Sequence, residues 1–144
     1  MAYLFDTDAI SEVLRPRPLP AYLEWLGSVA RDKQFASAVS VGELFRGAYR
    51  SPARERHLRN IRERVLPAVS VLPFDAEVAQ VFGEICARLE STGQRLADAD
   101  VQIAATAVRH RLVLVTGNVR HFGRVPGLEL EQVLADARDN GLNR

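Results

Sequence analysis

Apolar runs in this chain of 144 residues are short. None approaches the ~18 residues that a membrane-crossing helix needs. Met1 is soon followed by Asp6 and Asp8 rather than by a basic stretch and an apolar one, so neither a span nor a secretory leader is expected. Cysteine is nearly absent too: Cys86 stands alone, cannot close an intramolecular disulfide, and falls on the apolar side of an expected helix, where it reads as a core thiol. There is no Gly, Ser, Gln or Pro tract of the kind that keeps a segment disordered, and no internal repeat. Net charge is scarce as well, +1 in all, so no global field draws the chain to nucleic acid and charge has to be read locally. His57, His110 and His121 have no metal-ligand spacing to one another, and no Ser, Cys or His triad is visible. What remains is a soluble, cytoplasmic protein of one domain, residues 1–144, long enough to bury a core without disulfides.

What is present is an alternation of strands and helices. Tyr3 to Phe5 is a short apolar strand that runs into Asp6-Thr7-Asp8, and Ile10, Val13 and Leu14 then recur at helical spacing until Arg15-Pro16-Arg17-Pro18. Leu19, Tyr22, Leu23 and Leu26 mark a second helix ending near Gly27, Phe35 to Val39 a second strand, and Ser40-Val41-Gly42-Glu43 a capping box that opens a third helix. Ser51-Pro52 restarts a helix with Leu58, Ile61 and Val65 on its apolar side, and Val69 to Leu72 is a strand. Asp75 caps an amphipathic helix through Val78, Val81, Phe82, Ile85 and Leu89, which stops at Thr92-Gly93. A helix from Asp98 to His110 precedes the continuous apolar strand Leu112 to Val115, then Leu128 to Leu130 reads as a strand, Glu131 to Arg138 as a helix, and 139–144 as a frayed tail. This order implies right-handed crossovers and a mainly parallel sheet covered on both faces, with the ligand site beyond the carboxyl ends of the strands.

Four acidic residues, Asp6, Glu43, Asp98 and Asp100, fall where strands hand over to helices, and all four can reach that one edge. Convergent carboxylates are the donor set for a hard divalent cation such as Mg²⁺ or Mn²⁺, which relieves their mutual repulsion. Each also has a plainer explanation. Asp8 would serve as an N-cap for a helix starting at Ala9, with Asp6 a polar strand terminus. Glu43 would be the capping-box partner of Ser40, and Asp98 and Asp100 would answer the positive end of a helix dipole. Capping alone, however, does not require these ends to converge on one edge. A second feature is basic: Arg46, Arg50, Arg54, Arg56, Arg59, Arg62 and Arg64 face only Glu55 and Glu63, which makes either a solvated helical face or a surface for phosphate or an acidic partner.

Four stretches, in this order, carry a family likeness. They are Tyr3-Leu-Phe-Asp6-Thr7-Asp8-Ala-Ile-Ser-Glu12 with the following Arg15-Pro16-Arg17-Pro18; Ser40-Val-Gly-Glu43-Leu44; Ala99-Asp100-Val-Gln-Ile103-Ala104-Ala105-Thr106-Ala107; and Val115-Thr116-Gly-Asn118-Val-Arg-His-Phe122. With them the chain resembles PIN-domain ribonucleases, specifically the VapC-type toxins of bacterial type II toxin-antitoxin pairs, over nearly its whole length. The resemblance implies a PIN fold, three α/β/α layers with a central, mainly parallel five-stranded sheet. It implies Mg²⁺- or Mn²⁺-dependent endonucleolytic cleavage of RNA, neutralisation by a cognate VapB-type antitoxin, and a homodimer.

The resemblance places the family's metal-binding Asp at Asp6, its Glu at Glu43 and its later metal-binding Asp at Asp100, which leaves Asp98 as a neighbour of the site. Asn118 stands where many relatives carry Asp, and His121 where Asp before Phe is common, so occupancy by a second ion comes into question. Asp6, Glu43, Asp100 and Asn118 are thus the candidate catalytic set, with Thr7, Asp8, Asp98 and Thr116 in support and Arg46, Arg50 and Arg54 facing RNA or antitoxin. Two rivals differ in kind. One is a haloacid dehalogenase-type phosphatase, with Asp6 as nucleophile and Asp8 as acid or base, although its later motifs are not evident. The other is a PIN-fold module that binds RNA or protein without cutting, which Asn118 favours.

Overall fold

A computed structural model describes residues 1–142. Five parallel strands, β1 (Tyr3–Phe5), β2 (Gln34–Ser37), β3 (Ser70–Leu72), β4 (Val113–Val115) and β5 (Leu130–Glu131), lie in the order β3-β2-β1-β4-β5. Side chains alternate across the sheet, as the period of two in an extended chain requires. Phe5 and Val115 face a core shared with helices α1 (Thr7–Val13), α2 (Pro20–Gly27), α3 (Ala38–Arg50) and α4 (Arg54–Asn60). Leu4 and Leu114 face the opposite core, built from α5 (Ala76–Ser91) and α6 (Asp98–His110). Two helices complete the fold, α7 (Val119–Phe122) and α8 (Val133–Leu142), and the second places Leu134 and Ala137 in the first core. The three-layer α/β/α architecture with a parallel five-stranded sheet is therefore as the sequence implies.

The chain builds outward from β1 through β2 to β3, then returns to the other side of β1 for β4 and β5. The connections after β1 and β4 diverge from neighbouring strands, which opens a crevice at the carboxyl edge. Asp6 and Thr116 begin these two connections, and the Asp6 amide still donates to the Val115 carbonyl at 3.1 Å. On the buried side, the Tyr22 hydroxyl donates to the Ala9 carbonyl at 3.0 Å, while the Trp25 ring meets Tyr3 edge-on with centroids 5.1 Å apart. These contacts seat α1 firmly below the crevice.

Several element ends differ from expectation for identifiable reasons. β2 stops at Ser37, whose hydroxyl accepts from the Val39 amide at 3.1 Å, so α3 begins before the Ser40–Glu43 segment that was expected to open it. The Ser40–Glu43 capping box does not form: Ser40 is fully buried with its hydroxyl unpartnered, and the Glu43 carboxylate is engaged elsewhere. Asp6, not Asp8, is the N-cap of α1, accepting from the Ala9 amide at 2.7 Å. The arginine-rich segment begins as α4, passes through a π-type turn at Ile61–Val65, and ends in a 3₁₀ turn at Leu66–Ala68 before Val69. α8 continues through Leu142, past the expected helix end at Arg138, because it packs along α2; the end of the expected tail, 143–144, lies outside the described residues. Cys86 is half-buried, packed on the edge of the second core.

Candidate active site

The crevice beyond β1 and β4 is an open cleft of about 380 Å³ whose acidic lining is Asp6, Asp8, Glu43 and Asp100, with Thr7 and Asn118 between them. Asp6 forms the floor. It is only 5% exposed, and burial pushes its carboxyl up to about 6 from an ordinary 3.8. Hydrogen bonding from Thr116 and the Ala9 amide pulls the other way, while the charges of Asp8 and Asp100 push further up. An anion is thus being held in a place that disfavours anions, and no cationic side chain among the described residues pairs with it.

Around the floor each neighbour has a structural tether. The Thr7 hydroxyl donates to Glu43 Oε1 at 2.6 Å, which joins the start of α1 to the first turns of α3. Asp100, in the first turn of α6, lies 2.9 Å from His121 Nε2. The Asn118 amide donates to the Thr116 hydroxyl at 3.0 Å, a tight turn that presents the Asn118 side chain to the cleft. Asp8 is gripped by both terminal nitrogens of Arg138, at 2.6 and 2.9 Å, and the same guanidinium reaches the buried Glu12 at 3.1 Å.

The structure thus brings Asp6, Glu43, Asp100, Asn118, Thr7 and Asp8 to one cleft, with Thr116 bonded just behind Asn118. Asp98 is not among them. Two positions earlier on α6, it points into a separate groove with Cys86, Glu90 and Arg95, because residues two apart on a helix face different sides; the expectation that it neighbours the site is corrected. Arg46 and Arg50 share a ledge with Glu43 and Gly47, directly beside the cleft. Arg54 is occupied locally, donating to the Tyr49 carbonyl at 3.0 Å and lying 5.9 Å from that ring's centroid. Sequence reasoning missed Arg138, and it noted His121 as standing where Asp is common without foreseeing its contact with Asp100.

A family model described as the PIN domain matches residues 3–128, which include every residue of this cleft. The chain belongs to the PIN-domain family. It is 34% identical over 128 residues to a Neisseria gonorrhoeae protein named Toxin FitB, covering 83% of this chain and 89% of that one. It is 33% identical over 131 residues to Ribonuclease VapC2 of Haemophilus influenzae, covering 91% and 97%. Among solved structures, VapBC2 from Rickettsia felis, bound to a DNA fragment from their promoter, superposes with a TM-score of 0.84 at 26% identity over 91% of this chain and 98% of that one. The cleft therefore belongs to a PIN domain of the VapC toxin group, and the phosphatase reading falls away.

Do these side chains suit a divalent ion? Among the described residues no three Asp, Glu, His or Cys side chains, as they are placed, form a group that could hold a metal ion. The donors are nonetheless of the right kind: hard oxygens, anionic at Asp6, Glu43 and Asp100 and neutral at Asn118, opening onto solvent. Mg²⁺ keeps several waters and shares its coordination with substrate phosphate, so an open cleft with a few carboxylates fits it better than a cage would. The unpaired, buried Asp6 is the observation that most favours a cation here.

Proposed function

We propose that this chain is the toxin of a type II toxin-antitoxin pair and acts as a Mg²⁺- or Mn²⁺-dependent endoribonuclease in the cytoplasm. The observation that carries the reading is the meeting of Asp6, Glu43, Asp100 and Asn118 in one open cleft at the switch point of a PIN-domain sheet. The bound ion would polarise the phosphodiester and lower the pKa of the attacking water. Asp6 and Asp100 would hold it, with Glu43 and Asn118 completing the oxygen donors. Thr7 fixes the rotamer of Glu43, and the Thr116 hydroxyl fixes the turn that carries Asn118. His121, itself on the cleft wall, orients Asp100. The ledge of Arg46 and Arg50 offers positive charge to RNA phosphates on their way into the cleft, or to acidic groups of an antitoxin. The names of the relatives support RNA as substrate, and the VapBC assembly supports a cognate antitoxin as partner. A homodimer is part of the same proposal. Among the described residues no helix is long and apolar enough to cross a membrane.

Purified protein with Mg²⁺ should cleave RNA, while Asp6→Asn and Asp100→Asn should not; undiminished cleavage by either variant sinks the assignment. Because Asn118 contributes no charge, Asn118→Asp should tighten Mn²⁺ binding several-fold by calorimetry. An unchanged affinity removes position 118 from the ligands. The second reading, a PIN module that binds without cutting, draws on the same neutral Asn118. Following RNA integrity during a Mn²⁺ titration separates the two.

A further inference from the structure

Asp8 has the chemistry and the location of a metal ligand, yet the fold commits it elsewhere. It lines the cleft beside Asp6, but both its oxygens are taken by Arg138, at 2.6 and 2.9 Å. The backbone of Arg138 is held firmly, because Leu134 and Ala137 of the same helix are buried in the first core. Its second arm bonds Glu12, which is 1% exposed, accepts from the Leu19 amide at 3.2 Å and lies 3.5 Å from Arg15. The loop after β4 is shaped around this pair. A Cβ at Gly117, the residue before Asn118, would run into Arg138 Nη1 and lie 2.7 Å from Asp8 Oδ2, so a side chain there would have to displace the pair. α8 lies beyond the segment 3–128 that the family model matches.

We propose that Arg138 is a positioning residue of the cleft: it holds the Asp8 carboxylate against the C-terminal helix, out of the group that grips the divalent ion. The inference rests on the metal-dependent reading above. A further free carboxylate beside Asp6 would bind the ion more tightly and occupy a position that water or the scissile phosphate needs. A bidentate guanidinium prevents this without occupying the floor, because its planar fork matches one carboxylate and leaves Asp6 open.

Removing Arg138 alone would leave Glu12 buried without its main partner and could unfold the chain. The test therefore starts from Glu12→Gln, which still accepts from the Leu19 amide, and adds Arg138→Gln. Mn²⁺ affinity is measured by calorimetry, and kcat and KM for RNA cleavage are measured separately. Relative to Glu12→Gln, the double variant should bind Mn²⁺ about fivefold or more tightly, the scale of one added charge at close range in a partly solvated site. Its kcat should fall while KM stays nearly constant. Repeating the comparison with Asp8→Asn in both proteins should shrink the Mn²⁺ effect below about twofold, since the cycle isolates the Arg138 to Asp8 coupling. Equal Mn²⁺ affinity in the first pair, with a loss of melting temperature alone, overturns the proposal and leaves Arg138 a helix staple, with the metal-dependent reading intact. A wild-type protein that takes up no Mn²⁺ overturns both.

Discussion

Asp6 and Asp8 leave the same strand two residues apart and line the same cleft, yet one is buried with no cation while the other is partly exposed and held by a two-pronged arginine. The difference follows from where each points. Asp6 sits at the N-cap of α1, where two hydrogen bonds offset part of the burial cost but none of the charge. Asp8, inside the first turn, faces α8 and meets Arg138. Within one turn of chain, the fold therefore neutralises one carboxylate and leaves the other electrostatically unsatisfied. An unsatisfied buried anion costs stability, and is retained where a ligand is meant to supply the missing charge.

The largest effect should come from breaking the Asp6 side. Asp6→Asn should lower RNA cleavage at least about 100-fold, given what even outer partners of a metal are worth. It should also change stability with a sign opposite to that of an ion-paired carboxylate. Burial raises the Asp6 carboxyl from 3.8 to about 6. Between those values the folded chain holds a proton that the unfolded chain has released, so the contribution to stability is full below 3.8 and lost as pH rises through about 6. The loss is up to about 3 kcal/mol. The Asp6→Asn variant would keep the cap, since its side-chain oxygen can still accept from the Ala9 amide, but that side chain would not titrate. Urea unfolding of the metal-free proteins should show the variant gaining on the wild type as pH goes from about 4 to about 7. A flat difference would mean that Asp6 is charged at no cost, and the contrast with Asp8 would fail.

Next in size is the Asp8 side. Gly117→Ala should cost about 1–3 kcal/mol, because its Cβ would enter the space of the Arg138 guanidinium and displace it from Asp8 and from buried Glu12. Backbone conformation is not the cause, for among glycines only Gly93 and Gly127 have positive φ. Chemical denaturation of the variant measures the cost directly. A neutral result would show that Arg138 finds an equivalent seat, and that the pairing of Asp8 is not tightly built.

The contrast was only half legible in the sequence. The alternation of strands and helices, the carboxyl-edge site and the α6 boundaries from Asp98 to His110 followed from apolar periodicity and from acidic residues at strand ends, because both are local signals. Asp100 could be separated from Asp98 only by resemblance, since two acids in one helical turn look alike until the helix is docked. The Asp8–Arg138 pair spans 130 positions, and no local pattern announces such a contact. The capping box failed for a related reason: Ser37 offered an earlier cap, and Glu43 found Thr7 across the cleft. In the pairs that decide the site, the partner is distant along the chain and adjacent only once the sheet has formed.

The smallest effect should come from the rim, where charge is neither buried nor paired. Arg46 and Arg50 stand on the exposed side of α3 beside Glu43, and no ion pair among the described residues engages them. Their interaction with RNA would be through solvent, weakened by ions within a screening length of about 8–10 Å. Each should matter less than Arg138, whose charge is fixed at hydrogen-bond distance. Arg46→Ala and Arg50→Ala should each raise KM for RNA about threefold at low salt, with kcat and melting temperature little changed, and the effect should fade above about 0.3 M salt. Steady-state cleavage at two salt concentrations checks this. A drop in kcat instead would place one of these arginines on the reacting phosphate, and the division between a built interior charge network and a diffuse rim would have to be redrawn.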